Sequence, residues 1–349
     1  MLALRKNIPG PGAELVRCGQ SEPLASGEIR VDVRAAGICG SDLHAHAWDA
    51  SYAFMSPFLP LTLGHEFSGV VAAVAPDVTE ISVGDSIVCW PTVTCGTCAA
   101  CRAGRPGGCE ARRVIGLHRD GGFADSVRMP AANALRLPDG LPLDVAALTE
   151  PLAVSINAVD VAGVAKGDRV VVLGPGPIGM GIALVAQARG ADVLLAGFRD
   201  DARLALARDM GLKAVADLAQ VTLAEAAQAH FGGAPDVVLE ATGHASSVTE
   251  GLAILRPGGV LAVVGIHAQP LSLDLNLLVR GKKQLRGAHD STPQAFAEAI
   301  ARLAAEPGLY ARMITHRLPL AQAEDGFALA RQGAALKVML FPGEVKENV

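Results

Sequence analysis

The stretch VVVLGPGPIGMGIALVAQARG, residues 170–190, runs from valines suited to a buried strand, through a glycine-rich turn, into an apolar helical segment. Gly174, Gly176 and Gly179 fall in a G-x-G-x-x-G pattern set between that strand and that helix. Gly174 permits the tight turn, Gly176 lets backbone approach a pyrophosphate, and Gly179 lets helix and strand pack closely. Pro175 and Pro177 carry no amide hydrogen, so Ile178 and Gly179 are the expected donors to phosphate in this turn. The segment reads as the first half of a dinucleotide-binding unit.

Outward from it, the same texture repeats. Strand-like DVLLAG (192–197) leads to helical DDARLALARDMG (200–211), and DVVLEATG, VLAVVG and QLRGAH follow with helical segments between them. Such alternation predicts an α/β fold, a doubly wound parallel sheet with helices on both faces. The acid that grips the ribose hydroxyls of NAD is expected about twenty residues past the glycines. Gly197 stands there instead, with Arg199 just beyond and Asp200 and Asp201 after it. Loss of the carboxylate beside a guanidinium leans towards NADP; a small shift of register that brings Asp200 to the ribose would restore NAD. His267 is a candidate to line the cofactor site or an ordinary loop residue.

Before Arg169 the composition differs: GEIRVDVRAAG, LGHEFSGVVAAV and VGDSIVCW are short β-branched runs broken by Gly, Pro and Asp, as in a mostly β domain. After Asp290 a helical PQAFAEAIARLAAEPG and a final KVMLFP change the pattern again. The expected organisation is a discontinuous domain, 1–155 with 291–349, interrupted by a nucleotide domain, 156–290. With 30 basic and 35 acidic residues the net charge is −5, which offers no cationic field for nucleic acid. The longest uncharged run, Val170–Ala188, holds glycines and prolines that a lone membrane helix would avoid. The N-terminus lacks the order of a secretory signal, so a soluble cytoplasmic protein is expected, without membrane or nucleic-acid partners.

In that reducing compartment, four of the seven cysteines crowd into CGTCAACRAGRPGGC, residues 95–109. Cys95, Cys98, Cys101 and Cys109 are spaced C-x2-C-x2-C-x7-C, with small residues between that let the backbone wrap one ion. Four thiolates close a tetrahedron, so a zinc there shapes a lobe and leaves no position for substrate. An open site needs three protein donors plus an exchangeable oxygen. Cys39 in GICGSDLHAH, His65 and Glu66 in LTLGHEFSGV, and Glu150 in ALTEPLAV are the candidates.

These segments, in the order GICGSDLH, GHEFSGVV, cysteine lobe, GGFAD, TEPLAV, GPGPIG and LRPGG, resemble the zinc-dependent medium-chain dehydrogenases, most of all their sorbitol, threonine and butanediol dehydrogenase branch. The resemblance implies a GroES-like, mostly β catalytic domain joined to a Rossmann domain, two zinc ions per chain, and NAD or NADP. It implies Cys39 and His65 as the invariant ligand pair, Glu66 or Glu150 as the carboxylate, and Asp42 as the group that orients His65. Ser41 and His44 take the positions of the proton relay. The activity implied is oxidation of a secondary alcohol or polyol to a ketone, with a threonine 3-dehydrogenase-like enzyme as the alternative, a small-molecule substrate as partner, and a homo-oligomer, tetramer favoured over dimer. A non-catalytic dinucleotide-binding zinc protein is the remaining contender. Trp48, Tyr52, Phe54 and Met55 are either pocket wall or core. His46 reads as an exposed polar turn, Cys89 as a core residue, and Asp85 and Asp168 as turn residues.

Overall fold

The computed structural model describes residues 1–19 and 23–343. Two compact units divide the chain: Met1–Glu150 with the chain from Thr292 on, and Pro151–Ser291. The chain leaves the first unit five residues before the expected 156 and returns at Thr292, one past the expected 291; of the stretch 291–349, residues 344–349 lie outside the described residues.

The first unit is built on a seven-stranded sheet. Its strands run in the order Ala134–Arg136, Ser86–Cys89, Glu66–Val74, Glu28–Gly37, Lys337–Phe341, Ile314–Pro319, with Ser126–Pro130 also paired to Glu28–Gly37. Glu28–Gly37 alternates buried and half-buried residues, the signature of a strand with one face on the core. Gly69 is required opposite it, because a Cβ there would lie 2.2 Å from the Asp32 carbonyl oxygen. The C-terminal strand joins the same sheet with Met339 opposite Gly37 and Leu340 opposite Ala36. A core of Leu4, Ile29, Phe67, Phe123, Phe327 and Val338, among others, fills the space beneath.

The second unit is a six-stranded sheet in which every neighbouring pair is parallel. The order is Ala214–Asp217, Asp192–Gly197, Arg169–Leu173, Val237–Glu240, Val260–Val263, Gln284–Gly287, so the sequence reverses direction beside Arg169–Leu173. Ligands in such sheets bind at that switch point, beyond the carboxyl ends of the strands. Strand Arg169–Leu173 is buried from Val170 onward, as its valines require, and helix Pro177–Ala188 opens on a proline, whose missing amide would have had no partner in the first turn.

Among the described residues one apolar helical segment, Leu143–Ala162, is long enough to cross a membrane, but 78% of its apolar window is buried inside the protein. It is a core helix by that measure.

Candidate active site and cofactor site

The four cysteines of the lobe are all free thiols. Their sulfur atoms lie within 4.8 Å of one another, with Cys95–Cys101 at 3.9 Å and Cys95–Cys109 at 3.6 Å. Four zinc–sulfur bonds of about 2.3 Å at tetrahedral angles place sulfurs about 3.8 Å apart. The spacing therefore fits a zinc ion and is far too wide for a disulfide. The Cys98 amide donates to the Cys95 sulfur at 3.4 Å. The Thr97 amide first and that of Cys98 second lower the Cys95 thiol to about 6, which favours the thiolate a metal needs.

A second cluster gathers one sulfur, one nitrogen and one oxygen donor, from Cys39, His65 and Glu66, again within 4.8 Å of one another. Cys39 precedes helix Gly40–Ala47, and its amide donates to Asp42 Oδ2 at 2.9 Å, which fixes the first turn. Buried Asp42 turns its other oxygen to His65 Nδ1 at 3.6 Å, and neither atom has a hydrogen-bond partner among the described residues. The buried carboxylate facing Nδ1 orients the imidazole and leaves Nε2 for a metal. Ser41 Oγ stands 3.1 Å from that Nε2. Burial, then the Glu66 charge, push the Cys39 thiol up to about 12. A mixed sulfur, nitrogen and oxygen set with only three protein donors fits zinc and keeps a position open.

Glu66 begins strand Glu66–Val74 and is fully buried; it is accommodated because Gly37 opposite has no Cβ, which would fall 2.3 Å from Glu66 Oε2. Lys337 Nζ, also buried, donates to both Glu66 oxygens at 2.8 and 2.6 Å and to the Ile38 carbonyl at 3.0 Å. Burial alone would lower the Lys337 ammonium, but Glu66 and Cys39 outweigh it and hold its pKa above the ordinary value. Sequence reasoning missed Lys337; a lysine inside the apolar run KVMLF is the signal that could have found it. Glu150, in the first turn of helix Thr149–Ala162, lies outside the three-donor cluster yet is near enough to His65 to help raise its pKa against burial.

No hydrogen bond joins Ser41 to His44 among the described residues. His44 Nδ1 is held by Asp49, and its ring stacks on Tyr52, centroids 5.6 Å apart. The Tyr52 hydroxyl lies beside Ser41, so Tyr52 touches both members of the expected relay. Of the aromatic stretch, Met55 is core, Tyr52 is buried against the site, and Phe54 is 44% exposed. His46, expected in an exposed turn, is buried: its ring packs on Phe327 at 4.7 Å, Nε2 meets Glu324 at 3.0 Å and Nδ1 meets Arg331 at 3.1 Å. The last turn of its helix faces helix Ala323–Arg331, which the local sequence does not disclose.

In the second unit a cavity of about 590 Å³ opens at the switch point, lined by Gly174, Gly176, Gly197, Asp200, Arg203 and Thr242, among others. A Cβ at Gly174, whose φ is +100°, would fall 2.8 Å from Thr242, and one at Gly179 would fall 1.8 Å from the Gly174 oxygen. Gly176 differs: nothing lies within 4 Å of its missing Cβ, so the space it keeps open is space for a ligand. A Cβ at Gly197 would fall 2.9 Å from Pro175, which explains why a longer residue is absent there. Arg199 does not line the cavity; its guanidinium sits over the Phe198 ring at 5.4 Å, and its amide donates to Asp217 at 2.9 Å. Arg203, which sequence reasoning missed, does line it, 3.2 Å from Asp200. His267 Nε2 lies 3.2 Å from buried Glu240.

Two family models match the chain: an alcohol dehydrogenase GroES-like domain over residues 25–139 and a zinc-binding dehydrogenase domain over residues 177–305. The L-galactonate-5-dehydrogenase of Escherichia coli K12 is 35% identical over 296 residues, 84% of this chain and 85% of that protein. The sorbitol dehydrogenase of Halalkalibacterium halodurans is 32% identical over 98% of this chain and 99% of its own. Among solved structures, a zinc-binding dehydrogenase from Sinorhizobium meliloti 1021 with bound NADP superposes with a TM-score of 0.88 at 31% identity, covering 98% of this chain and 99% of the other.

Proposed function

This chain belongs to the zinc-dependent medium-chain alcohol dehydrogenases, NAD(P) oxidoreductases that interconvert alcohols or polyols and ketones, and from that premise we propose how its own residues divide the work. The observation that carries the reading is the convergence of Cys39, His65 and Glu66 beside Ser41, with buried Asp42 behind His65. Cys39 and His65 hold the catalytic zinc, with a carboxylate from Glu66 or Glu150. Zinc bound there supplies a Lewis acid that makes an alcohol hydroxyl acidic near neutral pH. Ser41 Oγ accepts the proton, and Tyr52 and His44 lie on its way outward. Asp42 holds His65 in one tautomer, and Lys337 neutralises Glu66, so the buried carboxylate does not stand uncompensated.

The cysteine lobe would hold the second zinc, and the cavity beside the glycine turn would hold the dinucleotide, with the amides of Ile178 and Gly179 as donors to its pyrophosphate. The preference leans to NADP. Gly197 brings no carboxylate, and Arg203 puts a guanidinium in the cavity, with that of Arg199 over the ring of Phe198, itself a lining residue. A strong kinetic preference for NAD would reverse that lean and give the ribose to Asp200. The substrate is a secondary alcohol or polyol, with threonine as the alternative, and the enzyme works in the cytoplasm as a homo-oligomer, a tetramer by preference.

The test is Cys39→Ser. Turnover of secondary alcohols is expected to fall by at least about a thousandfold, the scale of losing a group essential to transition-state charge, while dinucleotide binding and the melting profile persist. Retained turnover would refute the site.

A further inference from the structure

A wall of rings leads away from Ser41. Tyr52, beside the serine, contacts Phe54 at 5.6 Å between centroids; Phe54 stacks on His118 at 5.1 Å; and Phe58 meets His118 edge-on at 4.9 Å. His118 stands in a loop that is stapled to the segment carrying His65. Gly121 and Gly122 amides donate to the carbonyls of Thr62 and Gly64 at 2.9 and 2.8 Å, and Asp120 accepts from the Thr62 amide at 2.7 Å. The fit is close, since a Cβ at Gly116 or Gly121 would lie 2.6 or 2.1 Å from the Gly64 oxygen. The position of His118 relative to the metal donors is therefore set by backbone.

Its chemistry is set as well. The Val114 amide donates to His118 Nδ1 at 3.1 Å, so the neutral ring carries its proton on Nε2. That N–H has no hydrogen-bond partner among the described residues. Desolvation and the charges of Arg113 and Arg112 hold the imidazole below its ordinary pKa, which keeps it a neutral donor near pH 7. The Arg113 guanidinium lies over the face of Phe58 at 5.0 Å, on the same ring that contacts His118. A fixed N–H and a cation thus flank one apolar ring, at the far end of a wall that begins at the reacting centre.

We propose that His118 and Arg113 form an anion subsite, so that the preferred substrate is an alcohol bearing a carboxylate or phosphate a few carbons from the hydroxyl that is oxidised. The inference rests on the zinc dehydrogenase reading and names the substrate class for that site. His118 gives the anion a directed hydrogen bond and Arg113 gives it charge, and the rings between offer the carbon chain an apolar surface to lie on.

The experiment compares kcat/KM for matched compounds with both NAD and NADP: a neutral hexitol, the corresponding aldonate, the hexitol phosphate, and threonine as a hydroxy amino acid. At least one anionic compound is expected to exceed the neutral hexitol about tenfold, the scale of one charge-assisted hydrogen bond, and which one does so separates carboxylate from phosphate. In Arg113→Ala and His118→Ala the anionic-to-neutral ratio is expected to fall about fivefold or more, with KM carrying the change; His118→Gln, which keeps an N–H donor, retains more of it. Melting curves confirm that each variant is folded. Turnover of the neutral hexitol equal to or above every anionic compound, or a ratio that neither alanine variant alters, would overturn the subsite and leave the dehydrogenase standing. No turnover of any alcohol with either cofactor would overturn the dehydrogenase reading itself.

Discussion

Lys337 shows how a single residue can condition a reacting centre without touching substrate. A carboxylate as deeply buried as Glu66 is costly unless paired, and here one ammonium satisfies both of its oxygens. Removing the ammonium alone leaves the charge stranded. Lys337→Met is therefore expected to destabilise the protein by about 3–5 kcal/mol, read from the midpoint of denaturant unfolding. Adding Glu66→Gln to that variant is expected to recover much of the loss, because the pair acts as a unit. A single variant as stable as the parent would show that the pair carries no net weight. Gly37 belongs to the same arrangement, since the lack of a Cβ there is what lets the Glu66 oxygen occupy its place.

At the scale of elements, the cysteine lobe and the glycine turn are opposite ways to bind. The lobe has little regular structure of its own, only the short helix Ala99–Arg102 and a single turn at Pro106–Gly108, so a metal must supply what a hydrophobic core would otherwise provide. Cys109→Ser is expected to release one zinc per chain by metal analysis and to open residues 95–109 to limited proteolysis. Unchanged metal content would show that the four sulfurs do not hold an ion. The glycine turn needs no such help. Strand Arg169–Leu173 and helix Pro177–Ala188 are each buried along most of their length, and the turn between them is rigid enough that its missing side chains define the cavity.

For the whole molecule, each of the two units has a hydrophobic core of its own, one drawn from both ends of the chain and one from a continuous middle segment. A continuous unit with its own core should fold alone. A fragment of residues 151–291 is expected to unfold cooperatively and to bind dinucleotide without either metal site, as measured by circular dichroism and fluorescence titration; a fragment that stays unfolded would show the unit to depend on the rest of the chain. What the sequence determined by itself is whatever is encoded over a few neighbouring positions. The glycine turn, the alternation of strands and helices, and the cysteine spacing all act within one or two turns of backbone, so periodicity and spacing disclose them. The tertiary structure decided the rest. Lys337 reaches Glu66 across 271 positions, because the C-terminal strand pairs with Glu28–Gly37. His46 is buried because Glu324 and Arg331 arrive from 278 and 285 positions away. Arg203 enters the cavity through the packing of its helix, and His118 meets Phe54 only after the chain has turned back on Gly64. Side chains so far apart in the chain are neighbours only through sheet order and packing, and no local pattern records which strand will lie beside which.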